Sequence, residues 1–168
     1  MTISNVVAPS VPPTISNTDA VVTSAASITL GGEVTSDGGG TVTERGIVVA
    51  YTSETTNPQI GGTGVQKLIN GSGTGTFTNN YDYTGYEGTS YTFNSYAINS
   101  AGTAYGTPKQ FTVPSVPTFT STAVTSVNEG DNYTYNITAI DADGDSVTIT
   151  APTLPSWLST TTTLEVST

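Results

Sequence analysis

The sequence predicts an all-β protein made of tandem β-sandwiches, and three observations support that class. Gly (18 residues) and Pro (9 residues) fall between short apolar stretches, as turns do between strands. Thr and Ser fill much of the remainder, and the apolar content is only 35%, which suits strands with one buried and one solvated face. No long stretch has apolar residues at helical spacing, so helices are not expected.

Apolar runs separated by turn residues predict strands of a first module at residues 27–30, 42–51, 65–69 and 75–78. The first run is expected to break at Gly31-Gly32, because glycine pairs punctuate strands. The second run is the most apolar and is expected to lie at the centre of a sheet. Asn70-Gly71 suits a tight hairpin turn between the last two strands.

A four-residue motif occurs twice along the chain and predicts the domain boundaries. Pro9-Ser10-Val11-Pro12 recurs as Pro114-Ser115-Val116-Pro117. Two prolines in four residues make a stiff, extended connector, and the interval between the copies fits one β-sandwich. We therefore predict an arm or the end of a preceding module plus linker at 1–12, a complete module at 13–113, a linker at 114–117 and a partial module at 118–168.

Charge and missing residue types exclude several functions. The chain has 3 Lys and Arg against 13 Asp and Glu, a net charge of −10, and it has neither Cys nor His. So few cations cannot displace counterions from nucleic acid or attract anionic lipid, and no run is long enough to insert into a membrane. Without Cys the chain cannot form disulfides, and without Cys and His it lacks the usual zinc ligands and the base of a Ser-His triad. The acidic residues are scattered and do not suggest the paired carboxylates of a glycosidase. We predict that the protein is not an enzyme.

Motifs in the first module resemble the fibronectin type III-like modules of bacterial surface proteins. These motifs are Leu30-Gly31-Gly32-Glu33-Val34, Asp37-Gly38-Gly39, Glu44-Arg45-Gly46-Ile47-Val48, Gly88-Thr89-Ser90-Tyr91 and Tyr105-Gly106. The resemblance implies that Gly88 turns a corner, while Tyr91 packs inward and its hydroxyl bonds a backbone group upstream. A core Trp on the central strand is lacking. Arg45 is interpreted as a local ion pair with Glu44.

Residues 118–168 resemble the start of a cadherin-like or dystroglycan-type immunoglobulin-like repeat. The resemblance rests on Val127-Asn128-Glu129-Gly130, on residues 133–137 and 139–145, and on Leu154-Pro155-Ser156-Trp157-Leu158. Tyr133, Tyr135 and Ile137 alternate, which predicts a strand with a hairpin partner at residues 147–150. Trp157 is expected to fill the core of this module.

Three carboxylates in the second module are a candidate calcium site. Asp141, Asp143 and Asp145 surround a glycine turn and offer hard oxygen ligands to Ca²⁺. The cadherin-like resemblance implies that Glu129, near the module start, joins them. An EF-hand is excluded because Pro152 stands where its final Glu is required. The alternative interpretation is a solvated Asp-Gly turn without metal.

These features predict a stalk, adhesin or filament segment at the surface of a bacterium or secreted from it. Its expected partners are neighbouring modules or copies of itself, with a glycan or another cell-surface ligand as a further candidate. A virion decoration or fibre protein, and an accessory module of a secreted carbohydrate-active enzyme, are the alternatives. Residues 1–13 lack the features of a signal peptide, which is expected of a fragment, a mature form or a virion component.

The second module has few predicted strands, which leaves two hypotheses for how its sheet is completed. An exposed sheet edge is a template for another strand. Residues 2–8 of another copy could add to that edge, or a longer chain could supply the missing strands.

Overall fold

The computed structural model describes residues 8–24, 27–83 and 86–159. The chain divides into two compact units, Met1–Val113 and Pro114–Thr168. The described residues contain strands and no helix, which confirms the predicted all-β class. Within the same residues, no helix is long and apolar enough to cross a membrane. The arm predicted to add to another copy falls, apart from Ala8, outside the described part of the chain.

The described residues of the first unit form nine strands, which are β1 (Thr14–Asn17), β2 (Val21–Ser24), β3 (Ser27–Ser36), β4 (Glu44–Tyr51), β5 (Gln66–Ile69), β6 (Gly75–Asp82), β7 (Ser90–Asn99), β8 (Gly102–Tyr105) and β9 (Lys109–Thr112). They build two antiparallel sheets that face each other. In the first sheet, β6 pairs along one edge of β3, and β1 and β2 share the other edge. In the second sheet, β4 lies between β5 and β7, and β8 and β9 share the outer edge of β7.

Two details of the predicted strands differ from the structure. Strand β3 runs through Gly31 and Gly32 without a break, because these glycines allow neighbours to approach closely. A Cβ on Gly32 would lie only 2.5 Å from the Cβ of Ser95. The predicted hairpin at Asn70-Gly71 is also wrong, since β5 and β6 belong to different sheets and the chain crosses between them there.

The core lies between the two sheets and draws on both. Its fully or almost fully buried members are Ile28, Leu30, Val34, Val42, Ile47, Val49, Phe77, Tyr83, Tyr91, Phe93, Ala97 and Val113. Each fully buried large apolar side chain contributes about 1.5–3 kcal/mol relative to an exposed one.

Strand β4 is central, as predicted, and it is buried on both faces. Val48 and Ala50 point away from the core and are still buried. The loop after β4 lies over this outer face, where Asn94 Nδ2 donates to Asn57 Oδ1 at 3.0 Å and to the carbonyl oxygen of Pro58 at 3.2 Å. Cover on both faces explains why this strand is almost continuously apolar instead of alternating.

The described part of the second unit has little regular structure. Its strands are β10 (Thr118–Phe119) and β11 (Ala139–Ile140), which pair antiparallel. The predicted strand at 133–137 and its partner at 147–150 are not strands in the structure. None of residues 114–159 is buried, and strands without neighbours or a core are not stable on their own.

Trp157 does not fill a core as predicted. Its side chain is 72% exposed, and its aromatic neighbour is Tyr133, edge-on at 6.4 Å between ring centres. No residue of the described part of this unit, residues 114–159, is buried, so these residues provide no apolar layer that covers the indole.

Candidate functional site

The first Pro-Ser-Val-Pro segment is held on the end of the first unit. The backbone nitrogen of Val11 donates to the carbonyl oxygen of Gly38 at 2.9 Å. The carbonyl oxygen of Val11 accepts from Asn99 Nδ2 at 2.7 Å. Gly38 lies in the turn between β3 and β4, and Asn99 ends β7, so the segment bonds to elements of both sheets. We call Val11, Asp37, Gly38 and Asn99 the linker contact.

Asn99 joins three parts of the linker contact through one side chain. It is 5% exposed, and its Nδ2 donates to the carbonyl oxygens of Val11 and, at 2.8 Å, of Asp37. Its Oδ1 accepts from the backbone nitrogens of Ala101 at 2.8 Å and Gly102 at 3.2 Å. An amide side chain offers two donors and two acceptor sites. All four are used here, so the linker, the β3–β4 turn and the β7–β8 turn are tied together.

The β3–β4 turn is shaped by an aspartate and two glycines. Asp37 Oδ1 accepts from the backbone nitrogen of Gly39 at 2.9 Å, a local bond typical of aspartate in turns. Gly38 and Gly39 have φ angles of +66° and +78°, which favour glycine. A Cβ on Gly38 would also lie 2.1 Å from the carbonyl oxygen of Val11. Glycine is therefore required at position 38 both for its positive φ angle and for the close approach of the linker.

The second Pro-Ser-Val-Pro segment meets a similar turn in its own unit. The backbone nitrogen of Ser115 donates to Asp143 Oδ2. Asp141 Oδ1 accepts from the backbone nitrogen of Asp143 at 2.8 Å, and Gly144 has a φ of +82°. This turn is therefore an aspartate-glycine turn like that of residues 37–39.

The strands beside these turns also correspond. In the first unit, Thr14 pairs with Ser36 immediately before Asp37. In the second unit, Thr118 pairs with Ile140 immediately before Asp141. Each unit thus has a linker, a first strand, an antiparallel partner and an aspartate-glycine turn in the same arrangement.

Residues 116–167 match the family model described as "Putative Ig domain". The matched range begins within the second linker and includes β10, β11 and the aspartate-glycine turn. The match supports an Ig-like module in the second unit, and the all-β structure with antiparallel sheets agrees with the predicted immunoglobulin-like class. A comparison with curated proteins finds no match to the chain.

The structure does not bring the four predicted calcium ligands together. In the described residues, no three carboxylate, His or Cys side chains are grouped closely enough to hold a metal ion. Asp143 instead bonds to the linker at Ser115, and Asp141 bonds within the turn. These residues form an Asp-Gly turn, which both interpretations share. Calcium binding by Glu129, Asp141, Asp143 and Asp145 stays a prediction.

The predicted corner residues lie at the start of β7. Gly88 has a φ of +71°, and its backbone nitrogen donates to the carbonyl oxygen of Val113 at 2.9 Å. Tyr91 points inward, is 2% exposed and stacks on Phe111 at 5.3 Å. Burial, followed by hydrogen bonding with Tyr51, raises the pKa of the Tyr91 phenol well above its usual range. The bond from its hydroxyl to an upstream backbone group stays a prediction.

Arg45 does not pair with Glu44 as interpreted from the sequence, because successive side chains of a strand point to opposite faces. Arg45 Nη1 donates to the carbonyl oxygens of Gly73, Thr74 and Gly75, at 3.3, 2.7 and 3.2 Å. Its guanidinium carbon lies 5.1 Å from the ring centre of Phe77. Arg45 therefore stabilises the crossing from β5 to β6, a role that sequence adjacency could not indicate.

Glu44 bonds on the other face of β4. Its Oε1 lies 2.6 Å from Lys67 Nζ and accepts from the Tyr96 hydroxyl at 2.9 Å. The bond from Lys67 lowers the pKa of the Glu44 carboxyl. Burial raises the pKa of Tyr96 above its usual range, so the phenol stays protonated and donates to Glu44.

Proposed function

We propose that the chain is a structural or adhesive segment of a multi-module protein, secreted by a bacterium or carried on its surface, and that it performs no catalysis. The observation that carries this proposal is the repeated linker. Each copy of Pro-Ser-Val-Pro is bonded to an aspartate-glycine turn of the unit that it enters. A repeated junction of this kind suits a protein that is built from modules in series.

A linker bonded to its module fixes the direction in which the chain enters that module. Each proline restricts its own φ and has no backbone N–H, so the four residues are stiff and extended. Asn99 then ties the entering chain to turns at the end of both sheets. The path by which the chain enters this module is therefore restricted, which suits a module that stands in a series.

The first and last strands of the first unit lie in different sheets, β1 in one and β9 in the other. A force that separates the ends of the unit therefore loads two separate ladders of backbone hydrogen bonds. This arrangement suits a module that transmits tension between its neighbours.

The finer classification rests on sequence motifs together with their positions. We assign the first unit to the fibronectin type III-like group, supported by the glycine corner at Gly88 and the inward-facing Tyr91. We assign the second unit to the cadherin-like Ig repeats on its sequence segments, supported by the family match over residues 116–167.

Single-molecule force spectroscopy on the full chain tests the mechanical role. The first unit should unfold in one discrete event, and residues 13–113 should lengthen by roughly 330–360 Å less the folded span, at about 3.3–3.6 Å per residue. Extension without a discrete force peak would overturn the spacer role.

Antibodies against the full chain test the location. They should label intact cells of the bacterium that encodes it. Labelling only after lysis would overturn a surface location, and labelling of phage particles would favour the virion alternative.

A further inference from the structure

The crossing from β5 to β6 contains the one Asn-Gly pair of the sequence, Asn70-Gly71. Gly71 has a φ of +78°, and a Cβ added there would meet nothing within 4 Å. Its carbonyl oxygen accepts from the backbone nitrogen of Arg45 at 2.8 Å, whereas its own N–H meets no acceptor among the described residues. The backbone nitrogen of Gly71 is therefore neither shielded by a side chain nor held by a hydrogen bond.

The side-chain amide of Asn70 joins the edges of the two sheets. Its Nδ2 donates to the carbonyl oxygen of Thr78 at 2.7 Å and to Asn79 Oδ1 at 3.3 Å. In return, Asn79 Nδ2 donates to the carbonyl oxygen of Leu68 at 3.3 Å. These bonds connect β5, in one sheet, with β6, in the other. Both bonds that Asn70 makes to β6 require an N–H donor on its side chain.

An asparagine that precedes glycine can lose its amide in an intramolecular reaction, since glycine has no Cβ beside the attacking nitrogen. The backbone nitrogen of Gly71 attacks Cγ of Asn70, and the bond from Cγ to Nδ2 breaks. The amide nitrogen takes up the proton that Gly71 loses and leaves as ammonia, and a succinimide ring remains. Water then opens the ring at either of its two carbonyls. The product is an aspartate, or an isoaspartate whose backbone runs through Cγ, and the chain gains one negative charge.

The folded crossing restrains this reaction. While Nδ2 of Asn70 is bonded to Thr78 and Asn79, the carboxamide is fixed against β6 and is not free to turn about its side-chain bonds. Arg45 also holds the crossing, because its guanidinium donates to the carbonyl oxygens of Asn70 at 3.5 Å and Gly73 at 3.3 Å. Local opening of the crossing breaks these bonds and frees the carboxamide to meet the nitrogen of Gly71.

We propose that Asn70 is a deamidation site that the folded crossing protects and that opening of the crossing exposes. The product cannot remake the original bonds, since an ionised carboxylate only accepts hydrogen bonds and would face two acceptors, the Thr78 carbonyl oxygen and Asn79 Oδ1. A module that has been opened, by force or by denaturant, therefore acquires a permanent change at the crossing between its sheets. This inference goes beyond the proposed function and does not depend on it.

Peptide mass mapping of the full chain, incubated in mildly alkaline buffer with and without urea, tests the protection. In urea, Asn70 should convert faster than the other asparagines, and Gly71→Ala should slow its conversion because the added methyl group shields the attacking nitrogen. In the folded chain, Asn70 should convert roughly tenfold or more slowly than in urea, since two hydrogen bonds of the amide must open first. Equal rates in both conditions, or no conversion of Asn70 in urea, would overturn the proposal.

Asn70→Asp, which reproduces the aspartate product, tests the permanent change. This variant should melt about 4–8 °C below the parent, the shift that the loss of one hydrogen bond gives a domain of this size. Asn80→Asp is the matched control, because it adds the same charge to β6 and keeps the oxygen that accepts from Thr29 Oγ1 at 2.9 Å. The control should melt like the parent. Equal melting temperatures of the two variants, or a more stable Asn70→Asp, would also overturn the proposal.

Discussion

Beside Ser95, the outer edge of β7 lies opposite the gap between β8 and β9, and the side chain of Asn17 bonds there. Asn17 Oδ1 accepts from the backbone nitrogen of Ser95 at 2.7 Å, and its Nδ2 donates to the carbonyl oxygen of Thr107 at 2.6 Å. The gap arises because β8 ends at Tyr105 and β9 starts at Lys109. One amide of β1, in the first sheet, thus replaces the missing backbone partner in the second sheet.

Asn17→Ala should destabilise the first unit. Ser95 is fully buried, so its backbone nitrogen would lose its partner without access to water, at a cost of about 1–3 kcal/mol. Urea denaturation of the full chain measures this. Asn80→Ala is the control, because Asn80 is exposed, and it should stay within about 0.5 kcal/mol of the parent. Equal stabilities of the two variants would contradict the bridging role.

Gly38→Ala should release the linker, whereas Gly39→Ala should not. Both positions have positive φ angles, so both variants carry a backbone penalty of about 1 kcal/mol. A Cβ on Gly38 would strike the carbonyl oxygen of Val11, while a Cβ on Gly39 meets nothing within 4 Å. Hydrogen exchange of the Val11 amide should therefore accelerate only in the first variant. Similar exchange in both would show that the linker contact does not hold the segment.

Two substitutions of Tyr91 should lower the stability of the first unit by different amounts. Tyr91→Phe removes a buried hydroxyl that is predicted to bond with an upstream backbone group, and we expect a loss of about 1–3 kcal/mol because that group would be left unpaired. Tyr91→Ala also removes a buried ring stacked on Phe111, and we expect about 3–5 kcal/mol. Thermal melts of the full chain measure both. If both variants melt like the parent, Tyr91 is not a core residue of the corner.

Acid should weaken the Glu44–Lys67 pair. In the folded protein the pKa of the Glu44 carboxyl is lowered, mainly by Lys67. The stability that the pair contributes is therefore present above the unfolded pKa, near 4.5, and is lost as the pH falls through the folded pKa. Glu44→Gln has no carboxyl to protonate at this position, so it should lose less stability than the parent when the pH falls below 4.5. Denaturation at a series of pH values measures it, with exposed Glu33→Gln as the control. The same acid profile in both variants would contradict a stabilising role for the pair.

Calcium binding in the second unit can be tested by melting. A site made from Asp141, Asp143, Asp145 and Glu129 would raise the melting temperature in millimolar Ca²⁺ and lower it with chelator, because the ligand binds only the folded state. Asp143→Asn should remove the rise. Identical melting temperatures with calcium and with chelator would contradict the calcium site.

The sequence alone was sufficient for the all-β class and for the central place of β4. Both follow from local patterns, since short apolar runs between glycine and proline turns are read within a few residues. The Ig-like character of the second unit was also evident from its segments, and the family match at residues 116–167 agrees with it.

Only the tertiary structure decided which side chains meet. Asn17 and Ser95 are 78 positions apart, and Arg45 reaches loop carbonyls 28–30 positions away, so no local pattern could join them. Trp157 shows the same limit, because an apolar residue is buried only where another layer covers it, and the described part of its unit supplies none. Strand alternation states which face a residue takes, while packing between distant segments determines what that face touches.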